Sequence, residues 1–251
     1  NTTGGSNVAV GSLALDACTT GGSNVAIGTS ALSASTTAGL LTAIGASALA
    51  ANTSGTANVA VGYAALTANT TSANNTAVGY TALSSNTTGT AHTAVGKDSL
   101  RANTTGTRNT AVGNASLEIN TTGDDNVALG DYALYNNTTA NNNTAVGKDA
   151  MLANTTGASN VAVGYNSLAA NTTATGNVAV GQQTLLLTTT GATNTALGHT
   201  AMNQNTTGAN NVAVGSSSLA NNSTASNNVA VGKSALFANT TGAGNIAVGM
   251  N

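Results

Sequence analysis

Side chains able to carry chemistry are scarce in this chain. They comprise two histidines, His92 and His199, one thiol, Cys18, an adjacent acidic pair, Asp124 and Asp125, and a series of Asn-x-Ser/Thr sequons. A lone cysteine permits no intrachain disulfide, and no nucleophile–base pair accompanies it. Asp124 and Asp125 read as turn residues rather than as a calcium site, and the sequence implies no metal or other cofactor. One series of the sequons, spaced by multiples of 17 residues, begins at Asn1, Asn52, Asn69, Asn86, Asn103, Asn120, Asn137, Asn154, Asn171, Asn205, Asn222 and Asn239. In a host with the transferase, such residues at an exposed turn are acceptors for N-linked glycan, which predicts a row of sugars along one edge. The competing reading is that Asn and Thr stand there because their side chains bond local backbone in tight turns. Cys18, Ser35 and Thr188 replace the asparagine at equivalent places without disturbing the pattern, which favours the turn reading.

That pattern is a repeat of 17 residues, running from Asn1 to Asn251 as fourteen full copies and a partial one, with no insertion or deletion. With Asn1 as position 1, a copy reads Asn-Thr-Thr-Gly-x-x-Asn-Val-Ala-Val-Gly-x-x-Ala-Leu-x-x, as in residues 154–170. Position 9 is always Ala and position 11 always Gly; position 10 is Val, Ile or Leu, and position 15 is Leu or Met. A strict period of this size signals a solenoid in which each unit buries its apolar side chains against its neighbours. The unbroken period predicts a single continuous body over 1–251. Positions 10 and 15 are the expected buried aliphatics. With only 5% charged residues and no Pro or Trp, the composition resembles low complexity, but disordered segments lack strictly placed aliphatics.

Seventeen residues cannot hold two helices and a turn. β-Branched residues at positions 8 and 10, bounded by glycines, read as a short strand. A second short strand is expected over positions 13 to 16, around the leucine, so the fold class is an all-β parallel β-solenoid with two short strands per coil and about fifteen coils. At roughly 4.8 Å per coil the stack would be on the order of 70 Å long. If each residue lies beneath the one 17 further on, Arg101 meets Glu118, Arg108 meets Asp125 and Asp131 meets Lys148. All charges fall at positions 5, 6, 12, 13 and 16, the expected solvated surface.

Position 7 is Asn in all copies but those with Leu41 and His92, and stacked amides at strand spacing can hydrogen-bond along the stack. One of the Thr rows at positions 2 and 3 is expected to face inward and the other outward. Positions 8, 9 and 10 are apolar on both faces of the strand, and such strands are usually covered on both faces. This predicts that the Ala9 face packs against another chain, in a homotrimer.

The Asn-Val-Ala-Val-Gly and Ala-Leu elements, as in Asn58 to Gly62 with Ala65 and Leu66, resemble the repeats of the left-handed parallel β-roll in the YadA-like head of trimeric autotransporter adhesins, and those of phage tail-fibre shafts. The resemblance covers the whole chain. It implies a trimeric, extracellular or virion-surface, fibre-forming or adhesive protein.

Several classes are excluded or disfavoured. A net charge of −2 with five scattered cations argues against nucleic-acid binding. No apolar run approaches the ~18 residues of a membrane-spanning helix. His92 and His199 lie six coils apart and cannot share a metal or a proton relay. No convergent polar pocket can be assembled, so an enzyme is not expected. The first residue is not Met, as expected of a processed chain or an ordered segment of something larger, and the last copy stops mid-coil at Asn251, with no polar cap expected to block end-to-end continuation into a filament. Two departures, Leu40 with Leu41 and the run Leu185 to Leu187, are candidate contact points. The leading expectation is a rigid structural fibre protein; a receptor- or surface-binding adhesin, engaging a glycan or cell-surface target by avidity, comes second, and an ice-binding solenoid third.

Overall fold

The structure, a computed structural model, describes residues 2–250. It is a parallel β-solenoid of 17 residues per coil, with no helix among the described residues. The chain divides into two compact units, Asn1–Asp125 and Asn126–Asn251. In the first, seven three-residue strands from Val8–Val10 to Thr110–Val112 pair in parallel; in the second, eight do so from Val127–Leu129 to Ile246–Val248. Pairing keeps the sequence period throughout: Ala60 faces Ala77, and Ala77 faces Ala94.

Each coil contains one strand, not the expected two. Positions 14 and 15 explain why. Ala65 and Leu66, or Ser167 and Leu168, are consecutive residues and both are fully buried. A strand sends successive side chains to opposite faces, so it cannot bury both. The chain instead turns, with left-handed backbone at position 13 (Ala64, φ 53°) and position 15 (Leu66, φ 51°) in coil after coil. For residues with a Cβ this conformation costs about 1–2 kcal/mol. The segment still bonds to its neighbours: Ala64 N–H donates to Ala46 O at 2.9 Å, and Leu66 N–H to Ala82 O at 3.0 Å.

Position 11 must be glycine for two reasons at once. Gly62 has φ +134°, and a Cβ there would lie 2.3 Å from the carbonyl oxygen of Gly79 in the next coil. The tight corner and the close coil contact are therefore one constraint.

Sidedness of the strand reverses one expectation. Ala60, Ala77 and Ala94 are fully buried, whereas Val8 and Val10 columns are half-buried or exposed, as at Ile44 and Val112 with over a third of their surface open. The interior is thus the alanine column packed against the position-15 leucines, and position 10 lies outside it. The narrow coil is the cause: only a methyl group fits opposite the leucine, so the bulkier β-branched side chains take the other face. The expected packing of Ala9 against another chain falls with this.

Candidate functional site

The interior is unusual for its amides. Asparagines at position 1, among them Asn52, Asn86, Asn103 and Asn154, have no accessible surface. Each Nδ2 donates to the position-4 carbonyl three residues on, as Asn86 does to Gly89 O at 2.9 Å. The same nitrogen donates to Oδ1 of the asparagine one coil earlier: Asn86 to Asn69 at 3.1 Å, Asn103 to Asn86 at 2.9 Å, Asn154 to Asn137 at 2.9 Å. Asparagine suits the place because one planar group supplies two donors and an acceptor in a fixed arrangement. Burying it without those partners would cost several kcal/mol.

Position 7 forms a second column by a different route. Its Oδ1 accepts the backbone N–H of the next position-7 residue, and its Nδ2 donates to the next coil's position-4 carbonyl, as Asn160 does to Ala174 O at 2.8 Å. That carbonyl also accepts from Asn171 Nδ2 at 3.2 Å, so both its lone pairs are used. The amide-to-amide bonds expected at position 7 occur there in some coils, as from Asn194 Nδ2 to Asn177 Oδ1 at 3.2 Å and from Asn211 Nδ2 to Asn194 Oδ1 at 3.1 Å, and position 1 carries a second such ladder.

These facts fix the placement of the sequon asparagines. Asn52, Asn69, Asn86, Asn103, Asn120, Asn137, Asn154, Asn171, Asn205 and Asn222 are buried, and Asn239 is partly buried. Asn1 lies outside the described residues. The expectation of an exposed turn is thereby corrected: the nitrogen that a glycan would occupy closes the turn from inside. Of the two threonine rows, position 2 is mostly half-buried and donates its hydroxyl to the neighbouring coil, as Thr87 does to Thr104 O at 3.0 Å. Position 3, as at Thr88, is exposed.

Departures from the consensus show what the columns require. His92 replaces a position-7 asparagine and copies its bonding. Nδ1 accepts the Asn109 N–H at 3.2 Å, and the Gly106 carbonyl, the counterpart of the usual amide acceptor, contacts the ring. The imidazole is buried, and desolvation is the main cause holding its pKa down to about 4, against opposing contributions from the Gly106 and Asn109 contacts and the Asp124 charge. His92 is a neutral ladder rung and His199 is exposed, in separate units of the chain. Cys18 copies position 1, its buried Sγ 3.5 Å from Gly21 O. Thr188 cannot copy it fully: its hydroxyl donates to Asn205 O, and the Oδ1 of Asn171 is left buried with no partner. Leu41 fills position 7 by volume and is buried, while Leu40 beside it is exposed. Leu185 is core, and Leu187 is exposed.

Charge chemistry is confined to the outside. Arg108 holds Asp125 with Nε–Oδ1 2.6 Å and Nη2–Oδ2 2.9 Å, and Arg101 Nη2 lies 2.5 Å from Glu118 Oε1. Two of the three expected pairs thus confirm the register at atomic distance. The third pair, Asp131 and Lys148, stands at equivalent positions, with Asp131 O accepting from Asp149 N–H at 3.0 Å. The Arg108 guanidinium keeps the Asp125 carboxyl below its usual range. Asp124 accepts from Thr107 N–H at 2.6 Å, as a turn residue would. An open groove of about 580 Å³ lies against the last coils, lined by residues such as Leu236, Phe237, Val248 and Met250 with Asn239 and Asn245, and it contains no acid, base or nucleophile. Among the described residues no three His, Cys, Asp or Glu side chains cluster as metal ligands. No helix among them is long and apolar enough to cross a membrane.

No protein-family model matches the chain, and no curated protein matches it at a significant level.

What the geometry offers is a repeating surface. Along each unit the strand presents positions 8 and 10 outward as parallel columns of Val, Ile, Leu and Thr, with no charge in any coil. These apolar columns escaped the sequence reading, which placed position 10 inside. The signal was available: position 8 tolerates Thr in six copies while position 9 never departs from Ala.

Proposed function

We propose that the protein is a non-catalytic structural element, a rigid repeat fibre that associates with further copies of itself through the position 8 and 10 face, as a homotrimer outside a cell or on a virion. The observation carrying this reading is the charge-free strip of aliphatic side chains interspersed with threonine, left outside the buried alanine and leucine columns. In the first unit that strip comprises fourteen side chains from seven strands. If each leaves on the order of 50 Å² open, the strip offers on the order of 700 Å², close to the ~800 Å² per partner of a stable interface. Its neutrality fits a like partner, because two copies meet without opposed charges. The resemblance to trimeric adhesin heads and fibre shafts points the same way.

Sedimentation of the purified chain tests it. An oligomer that Val61→Lys with Val78→Lys converts to monomer is the expected result, because each ammonium would be buried unpaired. A parent chain that sediments as a monomer at high micromolar concentration overturns the reading. One observation favours a second reading, ice binding: the exposed position-3 hydroxyls form a regular Thr row at coil spacing. Thermal hysteresis in dilute solution is its test, and a zero value removes it.

A further inference from the structure

Five tyrosines stand on the surface of this chain in three different situations. Tyr63 and Tyr80 occupy position 12 of consecutive coils, each directly after the invariant glycine. Their rings stack with centroids 5.3 Å apart and planes 16° from parallel, and each side chain is about half exposed, at 54% and 53%. The backbone beneath is fixed: Thr81 N–H donates to Tyr63 O at 2.9 Å, and Gly62 N–H to Ile44 O at 2.7 Å. Tyr132 and Tyr135 lie in one coil, with centroids 5.5 Å apart but planes tilted by 59°. Tyr165 takes part in no ring pair among the described residues, its flanking position-12 residues being Lys148 and Gln182.

We propose that Tyr63 and Tyr80 form an oxidative cross-linking site, at which a one-electron oxidant of the haem-peroxidase class joins the two rings as dityrosine and staples consecutive coils together. Each phenol gives one electron to the oxidant and its hydroxyl proton to water, leaving two tyrosyl radicals. A single C–C bond forms between ring carbons ortho to the oxygens. The hydrogen on each of those carbons then moves as a proton to its own ring oxygen, restoring both phenols. The net loss is two electrons, taken up by two one-electron reductions of the oxidant, and two protons, taken up by solvent.

Three features of the pair select it. Exposure gives an oxidant access to both rings and leaves the side chains free to swing from stacked to edge-on contact. The coil register holds the two rings as permanent neighbours, which replaces a diffusional encounter of two short-lived radicals by an intramolecular one. No hydrogen bond or ion pair among the described residues engages either phenol oxygen, so loss of the proton breaks no protein contact. The resulting bond would close a loop across one 17-residue coil and lock the register that the hydrogen-bond columns set. This inference does not depend on how the chains assemble.

The test is photo-oxidation of the purified protein by a tris(bipyridyl)ruthenium complex with persulfate, a one-electron oxidant system. Dityrosine fluorescence, intact mass and mapping of elastase peptides are read together. Expected is a single-chain product lighter by two hydrogens, with a linked peptide joining Tyr63 to Tyr80 in several-fold excess over Tyr132 to Tyr135. Tyr63→Phe or Tyr80→Phe, both surface changes that spare the core, should abolish that product, whereas Tyr165→Phe should leave its yield unchanged. Prior unfolding in guanidinium should lower the yield several-fold. The proposal is overturned if coupling falls chiefly on Tyr132–Tyr135, if it joins separate chains, if unfolding leaves the yield intact, or if no dityrosine forms.

Discussion

His92 makes the column architecture measurable by acid. Its imidazole replaces an amide that never titrates, and it is buried among donors and acceptors that suit the neutral ring. Desolvation lowers its pKa from 6.5 to about 4 in the folded chain. The unfolded chain therefore binds the proton more tightly, and acid pulls the equilibrium toward unfolding. Stability from this site is complete above pH 6.5, falls as the pH drops from 6.5 to about 4, and falls no further below. At pH 4.5 the unfolded histidine is almost fully protonated and the folded one mostly is not, which gives a loss of about 2.5 kcal/mol relative to neutral pH.

His92→Asn isolates that quantity. The asparagine restores the column, with Oδ1 facing the Asn109 N–H and Nδ2 facing the Gly106 carbonyl, and it brings no proton. Its smaller volume shifts stability equally at every pH, so the comparison rests on slope rather than height. Urea unfolding of parent and variant at pH 7 and pH 4.5 is the assay, with amide exchange at Thr93 and Asn109 as a local readout, since repeat arrays can open coil by coil. The variant is expected to gain about 2.5 kcal/mol on the parent between the two pH values. Asp125, held low by Arg108, titrates below this window. Parallel pH dependences in the two proteins would refute the burial argument for the ring.

Gly62→Ala should unfold the first unit locally or cost more than about 4 kcal/mol, because the new methyl would sit against the Gly79 carbonyl in a left-handed corner; thermal melting checks it. Thr188→Asn should stabilise by about 1–2 kcal/mol, since it gives the orphaned Asn171 Oδ1 its missing donor, and urea midpoints will show whether it does. Asn103→Asp should destabilise by at least about 3 kcal/mol at pH 7, because an isolated carboxylate would replace the donor that serves both Asn86 and Gly106. Peptides that contain the buried sequons, such as those of Asn86 and Asn103, are expected without glycan when natural material is mapped by mass spectrometry, because those amide nitrogens are internal.

The period, the parallel register and the interior role of the position-15 leucine column were legible because a solenoid repeats its constraints: a position that scarcely varies across the copies is under steric control. Arg108 opposite Asp125 could be placed from spacing alone. Two features were not legible by the same logic. The second strand was read over positions 13 to 16 from the spacing of the apolar positions, but Ala65 and Leu66 are both interior, and adjacency of two restricted positions marks a turn rather than a strand. Position 10 was taken as core from hydrophobicity, although the coil is too narrow for a branched side chain opposite leucine. Size, not polarity, sorts residues between the faces of so thin a coil.

The sequons carry the same lesson into function. Asn-Thr-Thr satisfies a glycosylation motif and a turn motif equally well in one dimension, and only the direction of the amide distinguishes them. Asn69 shows that direction: its Nδ2 donates to Asn52 Oδ1 at 2.9 Å and to Ser72 O at 3.1 Å, and its Oδ1 accepts from Asn86. The Ser72 hydroxyl also donates to that Oδ1, so every hydrogen-bonding valence of the side chain is spent inside the solenoid. Replacing one amide proton with a sugar would remove a rung and force the turn open, so the residue type is accounted for by the fold itself. Function must then be sought among the side chains that the columns leave free, which are the valine face and the tyrosines.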